Sequence, residues 1–201
     1  MPILTGVIAS GISGNLTPPW SPEGAYDALA LVSVSSNVSS ISFNGIPSGY
    51  KSLEIRGVMQ VERTTYGVAE SRIQFNGDTG VNYSSHLLQG YNGGERAASQ
   101  TSDPWIDFGF GAVAATNTGN QSTPNWGSFV MTIPDYSNTS KFKSLKVLAG
   151  NDMNGSGYSG VAGRIAHVSG HWRNFAPIQS FTISSDFPMR PGTQFAIYGV
   201  K

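Results

Sequence analysis

The three histidines are the first residues in this chain to weigh for chemistry. His167 and His171 stand four apart in a candidate strand, an even separation that puts both imidazoles on one face. With His86 they would offer three nitrogen donors, as a zinc site requires. Strand residues four apart are ~13 Å apart at Cα, however, so partly buried or interface histidines are the better reading. Asp152, Asn154 and Ser156 alternate ahead of Gly157, as in the first half of a calcium loop. The twelfth position is Gly163 where a bidentate Glu belongs, and a polar turn explains the segment as well. No metal and no cofactor is expected.

Hydrolysis by paired carboxylates needs two acids some ~5–10 Å apart, one of them protonated. Asp78, Asp103, Asp107, Asp135 and Asp186 are thinly spread, and only Asp103 and Asp107, flanking Trp105, lie close in sequence. There is no serine-centred elbow and no cysteine, and the glycine-rich segments lack the lysine of a phosphate loop. The expectation is a protein that is not an enzyme. Aromatic residues are the stronger candidates. Trp105, Trp126, Tyr158 and Trp172, along with Tyr91, lie at or near predicted loops. Such rings stack on sugar faces, plug a pocket on a neighbouring subunit, or cap the ends of a core.

The elements that must position these residues are short. After the first twenty-five residues no helical rhythm persists, and Gly, Ser, Asn and Thr recur between brief apolar runs. Alternating patterns mark strands at 28–35, 38–43, 50–61 (out of phase near Gly57), 72–75, 83–91, 105–110, 128–133, 142–148, 161–172, 178–184 and 194–200. Asn-Gly pairs at Asn44, Asn76, Asn92 and Asn154 supply hairpin turns. Pro47, Pro134 and Pro177 fall at strand ends. The polar stretches 93–103 and 116–125 read as loops on one rim. About ten short strands with turns between them predict an all-β, antiparallel sandwich over residues 26–201.

Residues 1–25 stand apart as an arm and connector. Ile3, Leu4, Val7, Ile8, Ile12 and Leu16 are spaced by three or four, but Gly6, Gly11 and Gly14 each cost ~1 kcal/mol in a helix. Burying these side chains does not offset the backbone entropy of ordering the segment. The arm becomes ordered only where its backbone also finds hydrogen-bond partners, on its own domain or on a neighbour. Pro18, Pro19 and Pro22 around Trp20 make a stiff joint.

Composition narrows the partners. At 201 residues, with 12% charged and a net charge of zero, the chain has no basic footprint for nucleic acid. No apolar run approaches the ~20 residues of a membrane span, and the N-terminus lacks the basic start of a secretory signal. Low charge of balanced sign favours self-association and suits an assembly subunit.

Five segments carry a likeness to a known group: AYDALALVSV, SSISFNGIPSGYKSLEIRGV, RIQFNGDTGVNYSSHLL, IPDYSNTSKFKSLKVLAGND and the terminal FAIYGVK. With the N-terminal ISG ahead of the proline joint, the chain resembles virion structural proteins of tailed bacteriophages. The resemblance implies a jelly-roll-like β-sandwich made in the host cytoplasm and displayed on the virion, and it transfers no catalytic residue. It further implies a decoration or cement protein, associated with itself as a homotrimer and with major capsid or tail proteins. Ile3, Leu4, Val7, Ile8, Ile12 and Leu16 would then anchor in a neighbour. The alternative is a tail-fibre or baseplate-associated module binding a host surface glycan through Trp105, Trp126, Tyr158 or Trp172.

Overall fold

Alternation of apolar and small polar residues makes each segment a strand with one face to bury, and the chain solves this with two packed layers. A computed structural model of the chain describes residues 25–63, 68–91, 93–108, 113–115, 125–152 and 163–201. Among the described residues there are fourteen strands: β1 (Tyr26–Ser33), β2 (Val38–Asn44), β3 (Ser52–Val61), β4 (Val68–Ala69), β5 (Ser71–Phe75), β6 (Tyr83–Tyr91), β7 (Gly94–Asp103), β8 (Ile106–Asp107), β9 (Val113–Ala115), β10 (Gly127–Pro134), β11 (Lys143–Asp152), β12 (Gly163–Trp172), β13 (Ser180–Met189) and β14 (Gln194–Val200). There is no helix among the described residues, and so none long and apolar enough to cross a membrane.

The pairing is nested. β1 pairs with β14, β2 with β13, β3 with β10 and β5 with β8, all antiparallel. β14 also lies against β3, and β13 against β5. This yields the orders β1-β14-β3-β10 and β2-β13-β5-β8, the two sheets of a jelly roll. Two hairpins are inserted into it. β6 and β7 lie between β5 and β8 in sequence, and β11 and β12 between β10 and β13. Both join the first sheet beyond β10, making the eight-stranded order β1-β14-β3-β10-β11-β12-β6-β7. The far end of β3 crosses to the other layer, where Val61 meets Met189 and β9 runs parallel to it.

The core fills the space between the layers. Leu53, Ile55, Met59, Phe129, Met131, Val147, Val168, Phe195 and Ile197 point in from the large sheet. They meet Phe43, Ile73, Phe75, Phe181 and Ile183 from the smaller one. At one end Trp172 is buried, stacked on Tyr83 at 6.1 Å and close to Phe75 at 5.4 Å. Gly57 keeps the inward phase of β3. A Cβ there would stand 2.3 Å from the Phe129 ring, so the glycine makes room for that ring and the alternation is unbroken.

The segment 93–103, read from sequence as a loop, is instead the edge strand β7. Its small polar residues hide a strand because, among the described residues, only β6 pairs with it and most of its side chains face solvent. The two-residue β4 and three-residue β9 also escaped the pattern. Asn76 and Gly77 both take positive φ, 51° and 67°, as an Asn-Gly turn requires. The arm 1–24 and most of 116–125 lie outside the described residues.

Candidate functional site

Strand alternation sends one residue in two to the outside of a sheet, and on most antiparallel sheets those positions are polar. Here the large sheet departs from that rule. Tyr26, Leu31, Val58, Leu88, Val130, Leu148 and Ile165 are all exposed and all lie on its strands, at positions facing away from the core. None of the exposed large hydrophobic residues among the described ones lies on β2, β13, β5 or β8. The asymmetry is built by register. Arg56, Val130, Leu148, His167, Leu88 and Ala97 stand opposite one another across β3, β10, β11, β12, β6 and β7. The next row is Val58, Ser128, Gly150, Ile165 and Gly90. Gly150 and Gly90 carry no side chain in that row, and Gly150 lies in the floor of a depression of about 560 Å³ rimmed by Trp126, Val130, Leu148 and Ile165.

The three histidines share this face. His86 sits opposite Ser169, between His167 and His171 on the neighbouring strand, each a diagonal neighbour at ~7–8 Å. The sequence reading of one shared face for His167 and His171 holds, and the register adds His86 to it. Among the described residues no group of three His, Asp or Glu side chains is placed to hold a metal ion. His171 is half-buried, and burial with the nearby Arg173 holds its imidazole below the ordinary value. Its ring lies 5.6 Å from Phe142, which in turn packs on Phe175 at 4.5 Å. Both phenylalanines are exposed, at 43% and 54%. Beneath them Lys143 is 1% exposed and donates to the carbonyls of Lys141, Asn174 and Phe175. Burial lowers its pKa.

Among the described candidates, Trp105, Trp126 and Trp172 are not brought together. Trp172 is in the core, its indole N–H donated to Asp78 at 2.7 Å, and so cannot stack on a ligand. Trp105 is half-buried beside the smaller sheet, with the Arg72 guanidinium 4.3 Å from its ring centre. Trp126 is half-buried at the rim of the large-sheet depression and packs on Gly192, whose φ is 95°. Tyr158, Asn154, Ser156 and Gly157 lie outside the described residues, as do Ile3, Leu4, Val7, Ile8, Ile12 and Leu16. Asp152, the first oxygen of the calcium-like pattern, ends β11.

Folding also gathers acids that the sequence left apart. Arg72 meets Asp186 at 2.6 Å, Asp107 at 3.1 Å and Glu70 at 3.5 Å. Burial pushes Asp107 up against the pull of Gln100 and Arg72. Burial, with the charges of Asp107 and Asp186, pushes Glu70 up as well. Such groups could trade protons, but the arginine already engages all three carboxylates. The adjoining cavity, lined by Ser85, Arg96, Gln100 and Asp107, is about 60 Å³, which suits a few waters and not a sugar.

Sequence reasoning missed Glu70, Phe142, Phe175 and the outward hydrophobics. A signal for the last was present: Val58-Met59, Leu87-Leu88, Phe129-Val130-Met131 and Ile165-Ala166 are consecutive apolar runs, which in a strand means both faces are apolar. No protein-family model matches the chain, and neither does any curated protein or solved structure.

Proposed function

We propose that this chain is a non-enzymatic structural protein of a tailed-bacteriophage virion. It decorates or cements the particle by docking its N-terminal arm and the outer face of its large sheet onto neighbouring subunits. The observation that carries the reading is the one-sided distribution of exposed apolar residues. A freely soluble monomer rarely leaves such a band uncovered. The sheet is roughly 35 Å across and ~20 Å tall in its paired region, on the order of the ~800 Å² that each partner gives a stable interface. The likeness of five segments to phage virion proteins supplies the setting, and a net charge of zero removes long-range repulsion between copies.

The test is incorporation. Wild-type protein and the variant Leu148→Glu/Leu88→Glu are expressed during particle assembly, and purified particles are probed for each. Wild type co-purifies and the double variant does not, although both are folded. Equal occupancy of the two would refute the docking face.

The depression beside Trp126 favours a second reading, a tail-associated module that binds a glycan. An indole edge next to Asn151, Asp152 and Arg164 is chemistry that sugars use. Glycan-array binding lost on Trp126→Ala, with particle incorporation unchanged, would support it over decoration.

A further inference from the structure

We propose that the arm of this chain, residues 1–16, seats on the Phe142–Phe175 corner of the large sheet. It does so in its own copy or, by exchange, in an adjacent copy. This goes beyond the docking reading: it gives the arm an acceptor on this chain itself and leaves the outer face of β10, β11, β12 and β6 to the neighbouring subunit.

The chain outside the described body enters it at Ala25, whose carbonyl accepts the amide of Lys201. Tyr26 then pairs with Val200, Val200 with Ser52 and Ser52 with Pro134. Continuing the β10–β11 ladder two residues beyond Thr132↔Lys146 brings Ser144 to that level, and Ser144 pairs with His171. The entry of the arm and the aromatic corner therefore share one edge of the sheet. Five ladder steps separate Tyr26 from His171, about 24 Å. The connector, residues 17–24, holds Pro18, Pro19 and Pro22; as polyproline at ~3.1 Å per residue it spans about 25 Å. That reach would be enough to bring Leu16 to the corner.

Chemistry matches reach. Residues 1–22 contain no Asp, Glu, Lys, Arg or His, so no charged side chain of the arm is desolvated when it lies on two exposed phenyl rings. The acceptor is pre-organised. Asn174 accepts the Ala176 amide at 2.9 Å, and the buried Lys143 ammonium clamps the same loop through its carbonyls. A binding surface already ordered loses little entropy on contact. Exchange between copies would make the same contacts and costs little beyond the connector.

The chain has no cysteine, which makes a clean cross-linking test. Leu16→Cys is combined with Ser144→Cys, an exposed residue beside Phe142, or with Ser40→Cys on β2 of the other sheet as control. Under mild oxidation the Ser144 pair forms a disulfide and the control does not. A fast-migrating monomer on a non-reducing gel means the arm lies on its own copy, and a dimer or ladder means exchange; both support the proposal. Adding Phe142→Ser and Phe175→Ser drops the cross-link to the control level while the circular dichroism spectrum is kept. No cross-link at Ser144, an equal yield at Ser40, or insensitivity to the two serines would overturn it. The assay uses purified protein alone, so its failure and a failure to enter particles are separately visible.

Discussion

Trp172 donates its indole N–H to the carboxylate of Asp78 at 2.7 Å, tying the end of β12 to the turn between β5 and β6. Asp78 also accepts from the Gly80 amide at 2.9 Å and from Asn82 at 3.0 Å, while the Trp172 ring lies in the core on Tyr83. One carboxylate thus fixes the inserted hairpin β11–β12 to the jelly roll. Asp78→Ala leaves a buried indole donor unpaired and should cost about 2–3 kcal/mol, read as a shift in the urea unfolding midpoint.

The same carboxylate sets a pH response. Burial acts to raise its pKa, but hydrogen bonds from Trp172, Gly80, Asn82 and Asn174 outweigh it and hold Asp78 below 3.8. A depressed carboxyl stabilises the fold fully above that free value, and the contribution is lost as pH falls through the folded one. His171, held below 6.5 by burial, works in the same direction from a higher pH. Glu70 and Asp107, held up, work oppositely. The stability gap between wild type and Asp78→Asn should therefore be widest near neutral pH and narrow as the pH falls below 3.8. A gap that is constant across urea titrations at both pH values would contradict the assignment.

Gly57→Ala tests the packing of β3. The new methyl meets the Phe129 ring at 2.3 Å, and Phe129 itself packs on Phe108 at 4.9 Å, so the ring has little room to yield. Overpacking of this kind costs about 1–3 kcal/mol, and thermal unfolding should show it directly.

Lys143→Met should loosen the loop that presents Phe175. The carbonyls of Lys141, Asn174 and Phe175 lose a donor, at a cost of about 1–3 kcal/mol. Faster amide exchange confined to residues 174–178 would show that the lysine acts as a local clamp; unchanged protection there would show that it does not.

How much of this was legible beforehand follows from where the physics is local. Period-two runs such as Leu53–Ile55 and Phe181–Ile183 announced strands, because alternation is written residue by residue. The edge strand β7 was invisible, since its order comes from β6 and its own side chains bury little. The cluster of Glu70, Asp107 and Asp186 around Arg72 joins residues up to 116 positions apart, and no spacing rule reaches that far. Trp172 looked like a rim aromatic because it ends a strand, and only its partner Asp78, 94 residues away, explains its burial. The outward hydrophobics were written in the sequence as doubled apolar positions. Assigning them to a docking face needed the register that aligns Val130, Leu148 and Leu88 in adjacent strands.

The most direct measurement is the orientation of this body on an intact particle, obtained by electron microscopy. Density that seats the outer face of β10, β11, β12 and β6 against a neighbouring subunit, with β2, β13 and β5 turned to solvent, is the predicted result. Particles that lack the protein altogether, or that hold it with Leu148 and Leu88 pointing into open solvent, would contradict it.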